Sequence, residues 1–304
     1  MITSKQASKL SLPQLNPGVS SVLQYLVIKY PNISADVWQQ RMQQGKVHWH
    51  DGALIHPDTD YRPQQRVYYY RELEREPSIP FEEKILFQDE HLLLAYKPHF
   101  LPVTPGGTYI NECLQNRLRD KTGITSLQAL HRLDRATAGL VLLSKRPDTR
   151  HAYHQLFTTR QIHKTYQAIA SISNGSDLVG KHWTVKNCIQ RSSPTFLMAL
   201  GNGKHNSHST ITCIEQSTNK ALFELNPITG KTHQLRLHMQ SIGMPILNDR
   251  YYPDLQAESA DNYSQPLQLL AKKLSFIDPI NQQHRTFSCT ENLSLNVQVA
   301  NTST

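Results

Sequence analysis

The sequence predicts an α+β protein on a mixed, largely antiparallel sheet, preceded by a small helix-and-hairpin unit. Three observations predict it. Between residues 171 and 220 several short strands follow one another, among them Trp183-Thr184-Val185, Phe196-Leu197-Met198 and Thr210 to Ile214. No helix of crossover length separates them, which favours antiparallel neighbours over a doubly wound sheet. Near the N-terminus two helical patterns lead into a hairpin signal, and 304 residues suffice for one substantial core plus an accessory domain.

Composition narrows the function classes. Formal net charge is +8 and the pI is near 9.3, a surface that attracts polyanions, nucleic acid first among them. No apolar run approaches the roughly 20 residues that span a bilayer, and the first residues lack the basic-then-apolar layout of a signal peptide, so the expected compartment is the cytoplasm. Cys113, Cys188, Cys213 and Cys289 form no Cys-x-x-Cys pair, which argues against a zinc site and a disulfide framework alike.

Residues 1–17 carry Ser, Pro and Asn without periodicity and read as a loosely held lead-in. Val22, Leu23, Leu26, Val27 and Tyr30 then fall at helical spacing and stop before Pro31. Ser34 is placed as N-cap of a second helix with Val37, Trp38 and Met42, closed by Gly45. Lys46 to Trp49 and Ala53 to Ile55 flank His50-Asp51-Gly52 as a hairpin. Tyr68-Tyr69-Tyr70 fits base stacking or, more commonly, strand packing. A charged, then proline-containing linker leads to two apolar strands, Ile85 to Pro98, about an acidic turn. Pro102, Pro105, Gly106 and Gly107 make an irregular loop, and Cys113, Leu114 and Leu118 a helix. Asp148 is the expected N-cap of a helix ending near Arg160, after which Gln161 to Ala170 turns extended. Thr232 is the expected N-cap of a helix carrying Leu235, Met239 and Ile242, ended by Gly243 and Pro245. His233 and His238, five apart, point about 140° from each other on a helix and make a poor metal pair.

One stretch stands out: His131-Arg132-Leu133-Asp134-Arg135-Ala136-Thr137-Ala138-Gly139-Leu140, running into Val141 to Lys145. The apolar run reads as a short buried strand, with Asp134 on the loop that leads into it, a usual address for a working residue. Flanking guanidiniums keep such a carboxylate ionised and available as a nucleophile. The same residues fit a structural ion pair, the commoner use of a perturbed carboxylate.

This stretch resembles the signature of the RluA family of pseudouridine synthases, which isomerise uridine in RNA. Further blocks follow in order. Lys164-Thr165-Tyr166-Gln167-Ala168 matches Lys-x-Tyr-x-Ala; Thr229-Gly230-Lys231-Thr232-His233-Gln234-Leu235-Arg236 resembles Thr-Gly-Arg-Thr-His-Gln-Ile-Arg; Gly243 to Tyr252 follows Gly-x-Pro-Ile-x-Gly-Asp-x-x-Tyr. Leu269 to Pro279 resembles the closing Leu-His-Ala block, with Leu270 for histidine. The resemblance implies a pseudouridine synthase fold whose sheet is split by a central basic cleft, and a reaction needing no cofactor or metal. It implies catalytic roles for Asp134, attacking the sugar C1′ or the pyrimidine, for Arg236, pairing with it, and for Tyr166, stacking on the base and moving a proton. Arg132 would fill the vacancy left by the flipped base, and Arg135, Lys164, Lys231 and His233 would contact RNA. The helix, helix, hairpin order at the N-terminus resembles the alpha-L RNA-binding motif, with glutamines in the second helix where that motif offers more cations. The expected division is lead-in 1–17, RNA-binding module 18–72, linker 73–82, catalytic domain 83–298 and frayed tail 299–304. The expected partner of this monomer is RNA, ribosomal rather than transfer RNA; a catalytically dead RNA-binding protein is the alternative.

Overall fold

The computed structural model describes residues 1–175 and 177–296; the tail expected over 299–304 lies outside them. Chain contacts divide into two compact units, one of residues 1–78 with 105–111 and one of 79–104 with the residues from 112 on.

The smaller unit runs β1 (Ile2–Thr3), β2 (Ser8–Ser11), α1 (Val22–Lys29), α2 (Ala35–Gln43), β3 (Val47–Trp49), β4 (Arg66–Tyr69) and β5 (Glu72–Leu73). Both helices start where capping chemistry predicts: Ser21 and Ser34 accept from the amides of Gln24 and Val37. β2, β4 and β3 form an antiparallel sheet in that order, and β1 pairs with β5. Val22, Leu26, Trp38, Met42, Val47 and Val67 are fully buried between helices and sheet. Two expectations change here. The residues expected as a lead-in supply β1 and β2, because their partners lie about 60 to 70 residues away, Ile2 opposite Leu73 and Leu10 opposite Val67, out of reach of any local pattern. The expected hairpin keeps its turn, with the Trp49 amide on the Ala53 carbonyl, but the strand beside β3 is β4. The loop at 105–111 joins this unit through Glu76, whose carboxylate accepts the amides of Ile110 and Asn111 at 2.6 and 2.7 Å.

The larger unit contains β6 (Lys84–Gln88), β7 (Leu92–Lys97), α3 (Leu114–Thr122), β8 (Gln128–Ala129), β9 (Ala138–Ser144), α4 (Pro147–Thr158), β10 (His163–Ser171), β11 (His182–Arg191), β12 (Met198–Gly201), β13 (Ser207–Gln216), β14 (Lys220–Pro227), α5 (Gln234–Ser241), β15 (Leu269–Ile277) and β16 (His284–Ser288). Its sheet runs β12-β11-β13-β14-β10-β15-β9-β7-β6, with β16 beside β15 and β8 beside β9. All these pairs are antiparallel except β15 with β9, so the mixed, largely antiparallel sheet is the one expected. β9 is buried along its whole length, as an apolar strand covered on both faces must be.

The parallel pair sets the geometry of the site. Ala271 lies opposite Gly139, and a Cβ on Gly139 would stand 2.3 Å from the Ala271 carbonyl oxygen. Gly139 also has φ +118°, so glycine is required there on both counts. Two helix starts differ from expectation. α4 begins at Pro147, whose missing amide suits the first turn, while Asp148 forks onto Arg146. α5 begins after His233, held at φ 56°, because the Gln234 side chain does the work assigned to Thr232: its Oε1 accepts from the Thr229 hydroxyl and the Lys231 amide.

Candidate active site

A cleft of about 810 Å³ opens in the larger unit between the Asp134 loop, β10 and the N-terminal end of α5. Six cations line it: Arg132, Arg135, Arg160, Lys164, Lys231 and Arg236. Asp134 is the one carboxylate among its lining residues. The loop holding Asp134 is closed by the Thr137 amide on the Asp134 carbonyl and leads directly into buried β9, so a rigid strand fixes it.

Arg236 is the guanidinium that reaches Asp134, from Nη1 to Oδ2 at 3.3 Å. Its other edge is fully used. Nε and Nη2 donate to the two carboxylate oxygens of Asp249 at 2.7 and 2.5 Å, and the guanidinium lies 4.7 Å from the Tyr251 ring centroid and 5.2 Å from that of Tyr252. The Arg236 and Asp249 side chains are 4% and 1% exposed, whereas that of Asp134 is 30% exposed. The clamp is therefore dry and the carboxylate it presents is open to the cleft. Burial opposes the charge on Arg236, but the Asp249 hydrogen bonds and charge, with Asp134, hold it above its ordinary value.

His233 stands behind Asp134. The Tyr252 hydroxyl donates to the Met198 carbonyl at 2.9 Å, so the 2.9 Å contact with His233 Nδ1 puts a proton on that nitrogen. Nε2 then faces Asp134 Oδ2 at 3.9 Å. Burial lowers the His233 pKa, partly offset by the Asp134 charge. Tyr166 lines the same cleft from β10, and burial first, then the negative charge of Asp134, raises its pKa and keeps the phenol protonated. Lys164, also on β10, is half-buried, and burial lowers its pKa. Arg132 is exposed and Lys231 is exposed, both on the cleft.

Of the arginines flanking Asp134 in sequence, Arg132 is exposed on the cleft, and Arg135 forks onto Asp261 at 2.6 and 2.8 Å. The motif histidine His131 is structural: its Nε2 accepts from the Leu142 amide and its ring stacks on Phe157 at 4.9 Å, and burial pushes its pKa down to about 3. Sequence reasoning gave Asp249 and Lys97 no role. Lys97, fully buried, donates to the carbonyls of Pro98, Leu101 and Arg135 at 2.8, 2.7 and 3.1 Å, tying the end of β7 to the Asp134 loop. A lysine ending an otherwise apolar strand is the signal that would have found it.

A family model described as RNA pseudouridylate synthase matches residues 91–241, the stretch that carries Asp134, Tyr166 and Arg236. The dual-specificity RNA pseudouridine synthase RluA of Vibrio parahaemolyticus is 31% identical over 210 residues, covering 67% of this chain and 80% of that one. The chain belongs to the RluA family of RNA pseudouridine synthases. An RNA pseudouridine synthase of Synechocystis is 28% identical to this RluA-family enzyme over 231 residues, 76% of its chain and 79% of the relative's. The solved structure of human RNA pseudouridylate synthase domain containing 4 superposes with a TM-score of 0.52 at 26% identity, over 67% of this synthase and 87% of that chain.

Proposed function

We propose that this RNA pseudouridine synthase isomerises uridine in structured large-subunit ribosomal RNA, in the cytoplasm and as a monomer, with Asp134 as the essential nucleophile. The observation that carries the assignment is the contact of Arg236 with Asp134 in a cleft where Asp134 is the lone lining carboxylate. The target nucleotide is extruded from its stack at a cost of a few kcal/mol, and the exposed guanidinium of Arg132 at the cleft takes the vacated place. Asp134, held by a guanidinium that cannot swing because Asp249 clamps its other edge, attacks the sugar C1′ or the pyrimidine ring. The N1–C1′ bond breaks, the base turns within the cleft against Tyr166, and C1′ bonds to C5. The proton on C5 leaves and N1 gains one, so the product is an isomer and nothing is consumed. Tyr166, protonated, is suited to stack on the base and to shuttle that proton. Lys164 and Lys231 would hold phosphates at the cleft, with His233 and Arg135 positioning the loops behind it.

The helix, helix, hairpin order of the smaller unit supports ribosomal RNA, through its likeness to alpha-L modules. The dual-specificity name of the Vibrio relative favours a second reading, in which the target uridine recurs in transfer RNA. Pseudouridine mapping of total RNA from cells with and without the gene tests both. One or a few sites should vanish on deletion and return with the wild type but not with Asp134→Ala. Restoration by Asp134→Ala refutes the assignment of the nucleophile.

A further inference from the structure

In the smaller unit the two helices cover one face of the β2-β4-β3 sheet, where Val47, Trp49, Val67 and Tyr69 are buried. Side chains alternate along a strand, so the residues between them occupy the other face. Register places Lys9, Tyr68 and His48 in one row across the three strands, and Ser11 with Arg66 in the next. The rings there stack on one another. Tyr68 lies near-parallel to His48 (5.5 Å, 13°) and to His50 (5.7 Å, 28°), Tyr70 lies 6.2 Å from His48, and His50 Nδ1 bonds the Tyr68 hydroxyl at 3.0 Å. Lys9 and Arg66 flank the row, exposed, and neither pairs with a carboxylate among the described residues. The helices offer much less. The one cation of α2, Arg41, is buried on Glu72 beneath the Trp38 ring, which leaves Lys29 as the exposed cation of the two helices.

We propose that this outer sheet face, Lys9, Arg66, His48, Tyr68 and Tyr70, is a second RNA-binding site that takes an unpaired stretch of RNA. Bases stack on the ring row and Lys9 and Arg66 take the phosphates. The proposal rests on RNA being the substrate and adds to it a surface on the smaller unit that grips RNA. Aromatic rings beside unpaired cations are what a single strand needs: every base has a π-face, and the backbone repeats its charge. Gln39, Gln40 and Gln43 stand along the second helix where cations could have faced RNA, and the sheet face supplies the charge those helices lack.

The test uses the full-length protein and a fluorescein-labelled 20-residue oligouridylate carrying 4-thiouridine. Photo-cross-linking should label the peptides holding Tyr68 and His48. In anisotropy titrations Tyr68→Ala should weaken binding about 10-fold and Tyr68→Phe should bind within about twofold of wild type. The Lys9→Gln/Arg66→Gln double variant should flatten the slope of log Kd against log salt by about 1.4, the value for two phosphate contacts on a single strand. The cross-link and the salt slope do not depend on whether Tyr68→Ala folds. Cross-links confined to the cleft peptides, or variants that bind as wild type, overturn the proposal. Asp134→Ala should keep these cross-links, so failure of this surface and failure of the catalytic assignment read out separately.

Discussion

Asp249 should matter to the site as much as the residues that touch substrate, and Asp249→Asn tests this. The substitution keeps the shape and one acceptor but removes the charge facing a guanidinium that is 4% exposed. Removing one partner of a buried pair costs about 3–5 kcal/mol, because the survivor is left as an uncompensated buried charge. Asp134 remains 3.3 Å from Nη1 and offsets part of that, so the low end, about 3 kcal/mol, is expected. Arg236 sits within α5, whose amides bond inside the helix and, at its start, to the His233 carbonyl. Local opening there should become easier by roughly 100-fold, at 1.4 kcal/mol per factor of ten. Native-state hydrogen exchange read by mass spectrometry on the peptide covering 234–241 measures it directly. The single-turnover rate of pseudouridine formation should fall with it, since a guanidinium free to swing no longer presents Nη1 to Asp134. Exchange within twofold of wild type would show that the Tyr251 and Tyr252 rings, rather than the Asp249 carboxylate, hold the arginine in place.

Two further outcomes concern the framework. His238 is fully buried with Nε2 on the Ser207 hydroxyl, and burial holds its pKa down to about 4. The unfolded chain takes up that proton below its ordinary 6.5 while the folded chain does not, so stability should fall as pH drops from 6.5 toward 4, by about 3 kcal/mol from this residue. His131, near 3, and His99, near 4, act in the same direction. Denaturation midpoints at pH 7 and 4.5 should therefore lie closer together in His238→Gln, and an unchanged difference counts against the assignment. Gly139→Ala drives a Cβ into the backbone of Ala271 and strains φ +118°, a cost of about 4 kcal/mol that should lower the melting temperature by about 10 °C. A shift under 2 °C in calorimetry would mean that the β9 and β15 backbones part more readily than their register implies.

What could be read in the sequence was what local chemistry decides. Ser21 and Ser34 cap their helices as hydroxyls do, β9 is an apolar run between Gly139 and Ser144, and Asp89 closes the turn between β6 and β7 by accepting the His91 and Leu92 amides. Asp134, Tyr166 and Arg236 were legible only through resemblance to a family, because nothing about residues 134, 166 and 236 says locally that they share a cleft. Long-range pairs outside those family blocks escaped. Arg135 with Asp261 spans 126 positions, and β2 carries one apolar residue, Leu10, too few for alternation to show. Arg236 with Asp249 was close enough in sequence to guess, but a bidentate geometry comes from the turn after α5, which no spacing rule encodes.

The position of β15 has a consequence for how the enzyme is made. Without it the sheet is two separate pieces, β12-β11-β13-β14-β10 on one side and β9-β7-β6 on the other. Asp134 leads into the second piece, while Tyr166 belongs to the first. In chain order both pieces precede residue 269, and the flank of β9 that pairs with β15 would be an open, apolar edge without it. Every cleft residue described above lies before β15 in the chain, yet the two pieces that carry them meet through it. The two halves of the cleft are joined within this sheet through nine residues, those of β15.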